Sequence, residues 1–72
     1  MSLDSYHKLT QEVALFVNEH VRRASAGENV HLHEMTRNAR LKFGVGSTTI
    51  KRILREDYPS ARFVDGLLVL EE

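Results

Sequence analysis

Two β-prone runs, Ala61-Arg62-Phe63-Val64 and Leu67-Leu68-Val69-Leu70, are separated by only two residues, Asp65-Gly66. Asp-Gly at that spacing suits a turn in which both central residues take positive φ, and such a turn joins two antiparallel strands directly. The spacing predicts a hairpin that sets Val64 opposite Leu67 and Phe63 opposite Leu68. A hairpin by itself is marginal in water, so the rest of the chain must cover one of its faces.

The rest of the chain reads as helix. Leu9, Val13, Phe16, Val17, Val21 and Ala24 recur on a 3.6-residue period and form one apolar stripe, which predicts a first helix over 5–25. Asp4 or Ser5 is suited to cap its start. Arg22 and Arg23 lie near its C-terminus, where the helix dipole favours cations, and Gly27 is suited to end it in a left-handed conformation. Leu15 lies off the stripe. Val30-His31-Leu32 alternates as a short strand does, with Val30 and Leu32 on one side. A second helix is expected over 33–41, with Met35 and Ala39 facing inward and Arg37 and Arg40 outward; Leu41 does not fit that face. Phe43-Gly44-Val45-Gly46 breaks the periodicity, and Val45 is expected to plug the corner it makes. Ser47 is suited to cap a third helix running to about residue 56. Ile50, Ile53 and Leu54, with Asp57 a weaker member, share one side of it. Thr48, Lys51, Arg52 and Arg55 share the other. Pro59 prevents continuation.

The chain is 72 residues long and has no cysteine. That length supports one domain, over 1–72, with a small core and little room for a catalytic cleft. Disulfides and thiolate metal sites are excluded. Residues 1–6 carry no basic segment followed by an apolar run, so no signal peptide is expected. No apolar stretch approaches the roughly 18 residues of a membrane span. These readings point to an intracellular protein, cytoplasmic or nucleoid-associated or nuclear, without contact with a membrane.

The formal net charge is zero, from ten cations and ten anions. The charges are nevertheless segregated. Arg37, Arg40, Lys42, Lys51, Arg52 and Arg55 fall within residues 36–55, which hold no acid. The local field of such a block steers polyanions even when the total is zero. The flanking segments are net acidic.

Helix, short strand, helix, glycine corner, helix and hairpin is the order of a winged helix-turn-helix: a mostly α architecture with a small β-hairpin. The stretch from Gly44 to Arg55 resembles the second half of the helix-turn-helix of bacterial repressors. Gly44 and Val45 occupy the turn, Thr49-Ile50 the opening of the recognition helix, and Ile53 and Leu54 its anchors. The alanine of that pattern, Ala39, stands five residues before the turn glycine instead of four. The layout is also similar to the LOTUS domain, a small winged helix linked to RNA biology. The resemblance to repressors implies sequence-specific binding of double-stranded DNA, with the helix over 47–56 in the major groove, a role in transcription regulation, and a homodimer on two-fold sites. Arg52 and Arg55 are then the expected guanine readers, because a guanidinium fork matches O6 and N7. Thr48 and Thr49 suit a phosphate or a thymine methyl, and Ser47 a phosphate. Lys51, Arg37, Arg40 and Lys42 suit the backbone. Asp65 makes the hairpin tip a poor nucleic-acid contact, so the wing is expected to be structural.

A rival reading is a winged-helix protein-interaction module that uses the acidic face of the first helix, with Leu15 as a contact, or the hairpin. A third is an RNA-binding domain of the LOTUS kind. His31 and His33 have the spacing that puts two imidazoles on one side of a strand, and His7 and His20 are also present. Without a cysteine or an acid at recognisable spacing they do not make a metal site, and no cofactor is expected. Nor does any Asp, His and Ser arrangement activate a nucleophile, so neither an enzyme nor a small-molecule substrate is expected.

Overall fold

The computed structural model describes residues 3–71, with side chains from residue 9 onward. Three helices precede a two-stranded antiparallel hairpin: α1 Leu3–Ser25, α2 Leu32–Phe43, α3 Ser47–Asp57, β1 Ala61–Val64 and β2 Leu67–Leu70. This is the winged helix-turn-helix layout. All three helices and the second strand contribute to one core, built from Val13, Phe16, Val17, Val21, Val30, Met35, Ala39, Ile50, Leu54 and Leu68.

Helix α1 is already helical at Leu3, the first residue described, ahead of the start near residue 5 that the sequence predicts. The side chains of Asp4 and Ser5, expected as caps, lie outside the described ones. Val13, Phe16, Val17 and Val21 are buried, and Ala24 packs beside them; Leu9 stays exposed. The helix stops at Gly27, whose φ is +92°. The Gly27 amide donates to the Ala24 carbonyl at 3.1 Å and the Glu28 amide to the Arg23 carbonyl at 3.0 Å. This pair of bonds satisfies carbonyls that the last turn would leave open.

The segment Val30-His31-Leu32 is shorter as a strand than its alternation predicts. His31 alone forms a β-bridge, antiparallel to Leu67, and Leu32 already opens α2. The Leu68 amide donates to the Val30 carbonyl and the Leu32 amide to the Gly66 carbonyl, each at 2.8 Å. The connector is therefore a third, one-residue strand beside β2. Val30 is buried under the sheet.

Helix α2 is three residues longer than expected, by Leu32 at its start and Lys42-Phe43 at its end relative to the 33–41 reading. Leu32, Met35, Thr36, Ala39 and Phe43 continue a single inward stripe, and Leu41, on the opposite side, is 80% exposed. Phe43, expected in the turn, instead closes the helix with its ring edge-on to Phe16, centroids 5.6 Å apart. Gly44 ends the helix with φ +72° and its amide bonded to the Arg40 carbonyl. Val45 fills the corner against the core.

Helix α3 corrects one expectation. Gly46, not Ser47, is its N-cap, with extended φ and ψ and no side-chain capping bond. The Gly46 carbonyl takes the first intrahelical bonds, from Thr49 at 3.2 Å and Ile50 at 3.5 Å. Ser47 is the first helical residue. Ile50 and Leu54 are buried and Ile53 packs at their edge; Asp57, grouped with them by spacing, is exposed. The Asn18 amide donates to the Tyr58 hydroxyl at 2.6 Å and ties α1 to the residue after α3.

The hairpin has the expected register, with Phe63 opposite Leu68 and Val64 opposite Leu67. Both turn residues take positive φ, Asp65 at 53° and Gly66 at 79°. Leu68 is buried, and Ala61, Phe63 and Leu70 pack on the core from the same face. Because Gly66 and Leu67 are bonded to the α1–α2 connector, the tip does not project as a free loop.

Candidate nucleic-acid interface

The exposed side of α3 is set by the same period that buries its other side. Ile50 is 0% and Leu54 4% exposed. Thr48, Lys51, Arg52 and Arg55, at i, i+3, i+4 and i+7, are all open to solvent, because residues at that spacing share one helical face. Thr49 lies at the margin and is half-buried.

Two grooves flank this face. One, of about 470 Å³, runs between α2 and the start of α3 and is lined by His33, Thr36, Arg37, Arg40, Gly46, Ser47 and Thr48. Arg37 and Arg40 are exposed on its α2 wall. Its α3 wall is the first turn, whose leading amides lie at the positive end of the helix dipole. The Thr36 hydroxyl on the floor is committed to its own helix, donating to the Leu32 carbonyl at 2.9 Å. The other groove, of about 250 Å³, separates α3 from β1, with Lys51 and Arg55 over Leu54, Pro59, Ala61 and Phe63. The outward stripe of α3 links the two, so Arg37, Arg40, Ser47, Thr48, Lys51, Arg52 and Arg55 form one run of surface.

Lys42 is the exception among the sequence-predicted residues. It lines a groove with Glu12, Leu15, Phe16, Glu19 and Phe43 on the α1 side of α2, with its Nζ 5.7 Å from the Phe43 ring centroid. The reason is helical periodicity. Lys42 is two residues beyond Arg40, which is about 200° around a helix of 3.6 residues per turn. The same arithmetic, applied to α2 from Leu32 to Phe43, would have separated it at the outset. It would also have brought His33 and Thr36 to the side of Arg37 and Arg40, a placement that reading α2 only for its buried face misses.

No cation of the run is in an ion pair among the described residues. The two ion pairs among the described residues join Arg23 to Glu28 at 3.5 Å and Arg62 to Glu71 at 3.4 Å, so neither engages a cation of residues 36–55. Both pairs are well exposed. His31 is the N-cap residue of α2, without a side-chain capping bond, and His33 lies within the helix; the His20 Nδ1 stands 2.8 Å from the Phe16 carbonyl oxygen of its own helix, and the side chain of His7 lies outside the described ones. His33 thus stands in the first turn of α2, at the start of the helix as its place in the 33–41 reading implies, and neither His31 nor His33 is buried. Among the described residues no three His, Cys, Asp or Glu side chains gather as metal ligands. Among the same residues no helix is long and apolar enough to cross a membrane. No protein-family model, curated protein or solved structure matches the chain.

Proposed function

We propose that this chain binds double-stranded DNA, with α3 as the recognition helix in the major groove. The observation that carries the reading is the division of α3. Thr48, Lys51, Arg52 and Arg55 face solvent while Ile50 and Leu54 hold the helix from behind. A helix anchored on one face and cationic on the other is rigid enough to present its side chains to base edges, and the major groove admits a helix of that diameter.

In this reading the roles divide by reach. Arg52 and Arg55 read guanine edges through paired N–H donors. Arg37 and Arg40, across the groove from the α3 N-terminus, clamp a phosphate strand together with the Ser47 hydroxyl and the first-turn amides. Lys51 meets the backbone on the hairpin side. Thr48 and Thr49 meet a phosphate or a thymine methyl. The wing, with Asp65 at a tip held down by the α1–α2 connector, supports the fold and does not enter a groove. Two copies on a two-fold-symmetric site, acting in transcription regulation, complete the proposal.

The test is selection from a random duplex pool at physiological salt, with an RNA pool in parallel. The proposal expects a short enriched duplex motif whose affinity falls steeply as salt rises, because counterions leave the DNA on binding. Preferential enrichment of RNA, or an affinity indifferent to salt, would overturn it.

A further inference from the structure

On α1, Glu12, Leu15, Phe16 and Glu19 fall at i, i+3, i+4 and i+7 and so share one helical edge. Leu15 is 69% exposed although it is a large apolar side chain. Beside it the Phe16 and Phe43 rings meet edge-on and floor a groove of about 350 Å³ between α1 and the last turn of α2. Glu12 and Glu19 stand at the two ends of this apolar strip, and Lys42 is the single cation on its wall. Neither carboxylate is in an ion pair among the described residues.

We propose that this groove docks a short amphipathic helix of another protein, one that carries an apolar stripe flanked by lysine or arginine. A groove between two helices, with its anchors spaced on a helical period, accepts a third helix by its apolar face. The charge decides what kind of helix. Two carboxylates against one ammonium among the described lining residues favour a cationic visitor, and charged rims of this sort select partners by complementarity. A second copy of this chain is disfavoured, because an isologous contact places the same patch on both sides and brings carboxylate against carboxylate. A nucleic acid is disfavoured for the same reason. No residue of α3 or of the hairpin lines the groove, so the docking is compatible with occupancy of the α3 face and does not depend on the DNA-binding reading.

The test is a displayed library of short amphipathic helices with randomised flanking charges, selected on the full chain. It is first depleted on the Leu15→Asp variant to remove binders of other surfaces. Because Leu15 is exposed, this variant is expected to keep the circular dichroism and melting curve of the parent. The proposal expects surviving helices with lysine or arginine beside the apolar stripe, binding the parent at least about tenfold more tightly than Leu15→Asp. It expects the Glu12→Lys/Glu19→Lys double variant, which leaves Leu15 in place, to lose them to a similar degree and to select acidic flanks instead. No survivors, survivors whose flanks are acidic or uncharged, or binding unchanged in the double variant would overturn it. So would sedimentation that finds a dimer of the parent dissolved by Leu15→Asp, since the groove would then be a contact between copies.

Discussion

The Leu32 amide donates to the Gly66 carbonyl at 2.8 Å, so the first residue of α2 is tied to the tip of the hairpin. Gly66 holds its carbonyl there with φ +79°. A Cβ added at Gly66 meets nothing within 4 Å, so replacement acts through backbone strain and not through a clash. We expect Gly66→Ala to destabilise the domain by about 1–2 kcal/mol, the cost of a left-handed conformation for an L-residue. Urea denaturation measures it. Gly46 is the control: its φ is −85°, and Gly46→Ser supplies the missing cap acceptor, raising stability by a few tenths of a kcal/mol.

Ile50 and Leu41 are both aliphatic and both helical, yet one is 0% and the other 80% exposed. Ile50→Ala removes buried methyl groups where α3 meets the core, which costs about 2–5 kcal/mol. In a domain this small that approaches the whole stability, so loss of the cooperative melting transition is the expected readout. Leu41→Ala should stay within about 0.5 kcal/mol of the parent. A large effect there would mean that Leu41 is covered in solution.

The Asn18 to Tyr58 hydrogen bond joins parts of the chain 40 residues apart, at 2.6 Å. Tyr58→Phe keeps the ring packing and removes the acceptor. The expected loss is about 1 kcal/mol, the net value of a typical internal hydrogen bond. In hydrogen exchange the loss should appear as weaker protection of the last turn of α3.

If α3 reads DNA, the cations separate by role. Arg52→Ala should relax base preference at one position and cost about 1–3 kcal/mol on the preferred site. Arg37→Ala and Arg40→Ala should weaken all sequences alike and reduce the slope of log affinity against log salt by about 0.9 each. Sequence order alone would put Lys42 with these two. Its place beside Glu12 and Glu19 predicts the smallest effect of the six, and fluorescence anisotropy over a salt series ranks them.

What was legible in the chain and what was not divide along a physical line. The hairpin register follows from Asp65-Gly66 because a two-residue turn leaves no freedom in the pairing. The α1 and α3 core faces follow because Val13 to Val21 and Ile50 to Leu54 keep a strict period. The outward cations of α3 follow from the same period. The end of α2 lies beyond the 33–41 reading because the inward stripe skips Leu41 and resumes at Phe43, a residue whose place next to Gly44 marks it locally as part of the turn. Leu32 looked like a strand residue because local alternation cannot show that its partner, Gly66, arrives from the far end of the chain. The Ser47 cap was a local preference overridden by backbone geometry: Gly46, itself extended, brings its own carbonyl into position first.

The bridge from His31 to Leu67 has a consequence for how the domain is made. The small sheet cannot be completed until the second strand exists, and Leu68, on that strand, fills the floor of the core. Non-local pairing of this kind must pay its loop closure before it returns any contact. Without β2 the three helices would leave the place of Leu68 in the core unfilled and Val30 without its sheet partner, so deleting that strand is expected to abolish the cooperative melting transition.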